Sequence, residues 1–188
     1  NLNYVLYTDE SPYKMQREWL DRLPFDIYSV NVHTGAKRLI GRSYRTAPKW
    51  SVNGKWAVMY DPIAQVWNKF DGATGKVVNI SDAIGYPMFM ESYDKPAPAP
   101  AYGIAGWTAD GNNVFLYDAY DWWKIDLTGE RQPECLTKGY GRKHGKSIRK
   151  MTSNIDKDVF QKDEKVIVSL WDKDTMDEGV YQLDMKGR

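Results

Sequence analysis

Short apolar runs that close on an acid mark the chain at intervals of roughly 55 residues. They are VLYTD ending at Asp9, AVMYD at Asp61, VFLYD at Asp118 and VSLWD at Asp172. Each run is followed by a segment that opens on an aromatic residue, carries Asp or Asn after an apolar position and ends at a glycine. These are YSVNVHTG from Tyr28, WNKFDGATG from Trp67, WKIDLTG from Trp123 and YQLDMKG from Tyr181. Two of the runs are also preceded by near-identical openings, APKWSVNGK with Trp50 and GIAGWTADGN with Trp107. Asn53-Gly54 and Asp110-Gly111 predict two-residue hairpin turns, in which both central residues take positive φ.

One unit therefore reads as strand A around Trp50, a hairpin, strand B from Lys55 to Asp61, strand C from Gln65 to Asp71, a glycine turn, and strand D from Lys76 to Ser81. The predicted order along the chain is strands B to D over 1–46, a full unit over 47–83, a long connection over 84–102, a full unit over 103–137, and strands A to C over 138–188. Strand B is apolar at consecutive positions, which predicts a strand covered on both faces. Radial stacking of such sheets is a β-propeller. The expectation is an all-β propeller fragment of about four antiparallel four-stranded blades, the first and last incomplete. A β-sandwich of unrelated hairpins also gives short strands, but does not require the same aromatic, acid and glycine to recur in phase. The end faces, carrying Val5, Leu6, Val166, Val168 and Trp171, are expected to be exposed and to promote self-association.

Three segments break the period. Residues 10–25, ESPYKMQREWLDRLPF, predict a turn or two of helix in a surface excursion. Residues 84–102 place Met88, Phe89 and Met90 ahead of Pro96, Pro98 and Pro100, which favour an extended path. Residues 137–150, TKGYGRKHGKSIRK, are rich in Lys and Arg and contain no acid. That run is either a solvated face or a site where Arg142, Lys143 and His144, held on glycine turns, meet an anionic group such as a peptide carboxylate. Tyr140, Tyr102 and Phe89 complete the candidate binding residues.

Charge and composition narrow the chemistry. The 188 residues carry 26 Lys+Arg against 25 Asp+Glu, a net charge of +1, without the cationic surplus that nucleic acid selects. One cysteine, Cys135, and two histidines argue against a disulfide framework, a resident metal or another cofactor. No apolar run reaches the length of a membrane span, and the absence of an initiator Met suggests a segment of a longer precursor. No G-x-S-x-G nucleophile elbow occurs, GRSYR around Ser43 lacking the closing glycine. WDKDTMDEG, with Asp172, Asp174, Asp177 and Glu178, has Met176 at the third ligand position of a calcium loop and reads as a charged turn.

The stretches DIYSVNVHTGAKRLI, WSVNGKWAVMYD and AYGIAGWTADGNNVFLYDAYDWWKIDLTGERQPECLTKGYGRKHG resemble the N-terminal β-propeller region of bacterial serine peptidases of the prolyl oligopeptidase and dipeptidyl peptidase family. The W-[S/T]-x-[D/N]-G hairpin is also similar to TolB-like repeats, and the resemblance runs from about Tyr4 to Gly187. In that family the propeller is non-catalytic, caps an α/β-hydrolase domain bearing the Ser-Asp-His triad, and limits access to short peptides. The resemblance implies a segment that gates and orients peptide substrates for a hydrolase domain elsewhere in the parent chain, in a periplasmic or other extracytoplasmic setting. No position here matches the triad, so no catalytic residue carries over. The alternative expectation is a segment of a stand-alone TolB-like propeller that recognises a protein or glycan.

Overall fold

The computed structural model describes residues 3–20, 22–151 and 158–186. The remaining parts of the expected first and last units, at 1–2, 21, 152–157 and 187–188, lie outside the described residues. The chain divides into two compact units, Asn1–Ile80 and Ser81–Arg188.

The first unit holds two antiparallel sheets. Strands β1 (Tyr4–Asp9), β2 (Phe25–Asn31) and β3 (Lys37–Tyr44) pair in sequence order, followed by β4 (Lys49–Trp50), β5 (Trp56–Asp61), β6 (Val66–Asp71) and β7 (Val77–Asn79) as a four-stranded meander. The second unit continues with β8 (Ile104–Thr108), β9 (Asn113–Tyr117), β10 (Trp122–Asp126) and β11 (Glu134–Cys135), then the short helix α1 (Tyr140–Lys143). Next come β12 (Lys146–Lys150), β13 (Val159–Phe160), β14 (Lys165–Asp172) and β15 (Glu178–Asp184). Two sheets result, ordered β11-β10-β9-β8-β13 and β12-β14-β15. The protein is thus mostly β and dominated by antiparallel pairing. The insertion after β1 forms a single 3-10 helix at Ser11–Gln16 with proline in its first turn.

The recurring polar residues of the repeat are turn-builders. Gly54 N–H donates to Ser51 O, the Ser51 hydroxyl donates to Asn53 Oδ1 at 2.8 Å, and Trp56 N–H returns a bond to Ser51 Oγ at 3.1 Å. Thr108 repeats the pattern, receiving Asn113 N–H at 3.0 Å and donating to Asp110 Oδ1 at 2.5 Å. The loops are longer than the two-residue turns expected, and in them positive φ falls on Gly54 and Gly111 alone. The hydroxyl and the Asx side chain satisfy amides that a tighter turn would have paired across the ladder.

A second device closes other hairpins. The oxygens of Asn31, Asp71 and Asp172 each accept the two amides that follow at i+2 and i+3. The next residue then turns through the left-handed region: Gly35, Gly75 or Met176. Asp61 caps Ile63 and Ala64 in the same way, with Gln65 left-handed at a φ of 57°. WDKDTMDEG is such a hairpin, linking β14 to β15.

In the first unit Phe25, Ile27 and Tyr44 pack against Ala57, Met59 and Phe70. In the second, Ala105, Phe115, Tyr117 and Trp122 pack against Ile148, Val166, Val168 and Leu170. Burial at consecutive positions holds in β5 and β9 but fails in β1 and β14, where it alternates or is sparse. The expected exposed end faces are corrected accordingly. Val166 and Val168 are buried in that core and Leu6 packs on the core of its own unit, while Val5 and Trp171 point outward. Period-two alternation separates the two sets, because successive side chains of a strand face opposite ways.

The last unit also departs from a simple A–B hairpin. The chain between β12 and β14 sends β13 across to pair in parallel with the edge of β8, Val159 opposite Trp107. Trp107 N–H donates to Asp158 O at 2.7 Å and Ala109 N–H to Phe160 O at 3.0 Å. Gly106 makes this approach feasible, since a Cβ there would stand 2.4 Å from the Phe160 ring and 2.7 Å from Asp158 O.

Candidate functional site

The basic run and the long connection both belong to the second unit, and the β9–β10 loop organises them. Asp118, at 0% exposure, follows β9 and caps the turn by accepting Tyr120 and Asp121 N–H at 2.7 and 2.6 Å. Its other oxygen accepts Trp123 Nε1–H at 3.1 Å and Arg142 Nη2–H at 3.2 Å. Asp121, also buried, accepts the Thr137 hydroxyl at 2.6 Å and the amides of Gly141 and Arg142, both at 2.9 Å. Those amides open α1, so the second acid of YDAYD fixes the start of the basic run. Gly141 is required there, because an added Cβ would lie 2.7 Å from both Tyr120 O and Lys146 O.

Within the basic run the cations have separate fates. Arg142 is paired with Asp118 and with Glu91 at 3.5 Å, and its guanidinium lies 4.3 Å from the Tyr86 ring centroid. Burial works against its charge, but Asp118 and then Glu91 outweigh that and hold its pKa above the ordinary value. Arg149 donates to Asp118 O at 2.7 Å, Ala119 O at 3.1 Å and Ile148 O at 2.8 Å, all neutral acceptors, and lies over the Tyr117 and Tyr102 rings. Burial pulls its guanidinium below its ordinary value. No carboxylate among the described residues makes an ion pair with it.

Of the residues singled out from sequence, Tyr102 lines a cleft of about 300 Å³, together with Glu91, Tyr120, Arg149, Trp171 and Lys173. Lys173 Nζ donates to the Tyr120 hydroxyl at 3.0 Å, and Tyr102 accepts Glu91 N–H at 3.1 Å. Phe89 instead bridges Ala101 and holds the long connection together, alongside buried Met88. Lys143 and His144 are exposed, the His144 ring lying 4.4 Å from that of Tyr140. Tyr140 lines a separate hollow with Leu136, Ile148 and Leu183. Cys135 is half-buried and accepts Gly139 N–H; burial raises its thiol pKa and keeps it protonated.

Sequence reasoning missed Asp118 and Asp121 as the organisers, and Arg149, Trp171 and Lys173 as cleft residues. One signal was available: YDAYD carries a second acid that the equivalent loops after Asp61 and Asp172 do not place at that position.

No family model matches the chain, and no curated protein matches it. Among solved structures it is similar to the crystal structure of TolB from Acinetobacter baumannii, at 12% identity and a TM-score of 0.27, covering 96% of this chain and 51% of that one. The chain spans about half the length of that structure.

Proposed function

We propose that the chain is a non-catalytic β-propeller segment that binds and orients short peptides, acting for an α/β-hydrolase domain of its parent protein in an extracytoplasmic compartment. The meanders β4–β7 and β8–β11 share strand order and turn code, which is what successive blades require. The observation that carries the binding role is the cleft between the 118–121 loop, the 90–92 turn and the end of β14. It combines aromatic side chains with two cations, Arg149 in β12 and Lys173 in the turn after β14, the composition of a recognition site.

A photo-crosslinking tripeptide incubated with the 188-residue chain tests this reading. The expected adducts fall on residues 90–92, 119–120 and 171–173, with the peptide uncleaved and no labelling by a serine-directed fluorophosphonate. Adducts scattered over both units, or a fluorophosphonate adduct at one defined serine, would overturn it.

The second reading, a stand-alone TolB-like propeller that recognises a folded protein, draws on the excursion after β1. There Met15 and Trp19 stand 85% and 77% exposed. Large apolar side chains presented so openly suit a macromolecular contact better than a small ligand.

A further inference from the structure

Three features of the cleft bear on what it takes. One lining group is the Arg149 guanidinium, whose contacts are carbonyl oxygens and ring faces, which solvate a cation without neutralising it. A second cation, Lys173, stands at the rim against Tyr120, and the indole of Trp171 is 39% exposed beside it. The one lining carboxylate, Glu91, is 3.5 Å from Arg142 and shares that arginine with Asp118. Arg142, the expected anion binder, is therefore already in ion pairs with acids of its own unit, whereas Arg149 makes none among the described residues and feels Asp118 and Asp121 only through space.

We propose that the cleft binds a carboxylate carried next to an apolar or aromatic group, with Arg149 receiving the carboxylate, Lys173 flanking it, and Trp171 and Tyr102 packing on the neighbouring group. This rests on the peptide-binding reading above and names its ligand class. A partly buried cation with no ion pair among the described residues is costly, and a bound carboxylate offsets that cost through the guanidinium N–H groups that the three carbonyls leave over. The arginine remains protonated at any working pH, so affinity depends on the ligand's ionisation and on salt rather than on titration of the site. Two sources supply such a carboxylate: the C-terminus of a peptide, or an Asp or Glu side chain beside an aromatic residue.

Calorimetric titration of the 188-residue chain with three probes decides the matter: N-acetyl-Ala-Ala-Phe as the free acid, the same peptide as its C-terminal amide, and N-acetyl-Glu-Phe amide. At least one carboxylate peptide is expected to bind ten-fold or more tightly than the Ala-Ala-Phe amide, and the tighter of the two identifies the source. Arg149→Gln should abolish the preference, but it also removes bonds to three carbonyls. Lys173→Met, at an exposed position, is the milder variant and should lower the preference for acid over amide several-fold. Equal binding of acid and amide would overturn the carboxylate assignment and leave peptide recognition standing. Failure of all three probes to bind would remove both.

Discussion

Asp61 and Asp118 occupy the same place in the repeat, yet the two units use them differently. Asp61 accepts two amides of its own loop, each at 2.9 Å, ends the strand and, beyond that cap, acts on the Tyr44 and Tyr60 hydroxyls chiefly through its charge. Asp118 makes the same cap and then holds Trp123 and Arg142 with its second oxygen, at full burial. The repeat supplies a carboxylate at the top of each strand. The segments that interrupt the repeat, here the basic run and the long connection, decide whether it stays a turn residue or becomes the centre of a polar network.

The sharpest way to break this contrast is to replace each acid by its amide. In Asp61→Asn the capping oxygen is retained, and stability should change by no more than about 0.5 kcal/mol. In Asp118→Asn the new NH2 faces two donors, Trp123 Nε1 and Arg142 Nη2, leaving a partly buried cation without its main partner; a loss of about 3 kcal/mol is expected. Urea denaturation of the two variants measures both, and equal effects would show that the network adds nothing to the cap.

Next in size is an alkaline effect centred on the first unit. Burial, and then the charge of Asp61, push the Tyr44 and Tyr60 hydroxyls up to about 12. Folded tyrosine that holds its proton above an unfolded pKa near 10 contributes stability in full below pH ~10 and loses it as pH rises towards 12, about 1 kcal/mol for each ring once solvent screening is taken into account. Denaturation midpoints followed from pH 9 to 12 should fall over that window. Tyr60→Phe should remove part of the slope, and a slope that survives it intact would assign the effect elsewhere.

The smallest effect concerns the left-handed turn position. Gly35 and Gly75 occupy it without strain, whereas Gln65 and Met176 hold φ of 57° and 62°. Gln65→Gly and Met176→Gly should each stabilise by about 0.5–1 kcal/mol, read as a small rise in Tm.

The all-β organisation was legible because its determinants are local. Asx and hydroxyl residues sit where hairpins turn, and Val58, Met59 and Tyr60 are apolar in succession because that strand is buried throughout. The cleft was less legible, because its residues come from five separated places: Glu91, Tyr102, Tyr120, Arg149 and the Trp171–Lys173 pair. A basic run read along the sequence points to Arg142, Lys143 and His144 on their glycine turns and passes over Arg149. Only packing shows that Asp118 and Glu91 meet Arg142 and leave Arg149 to carbonyls and ring faces. β13 was invisible for a related reason, as a two-residue parallel pairing has no periodic signal of its own, and its trace in the sequence is the single glycine at 106.

That pairing also bears on how the second unit assembles in time. Among the described residues, every other strand pair joins neighbours along the chain or closes over a modest connection, so loop-closure entropy is small and the meanders form early. β13 has nothing to pair with until the edge of β8 exists, and it must return to that edge across the intervening β9–β12 segment. Its docking is therefore a late step, and the route from an ordered meander to the finished unit ends when Phe160 settles over Gly106.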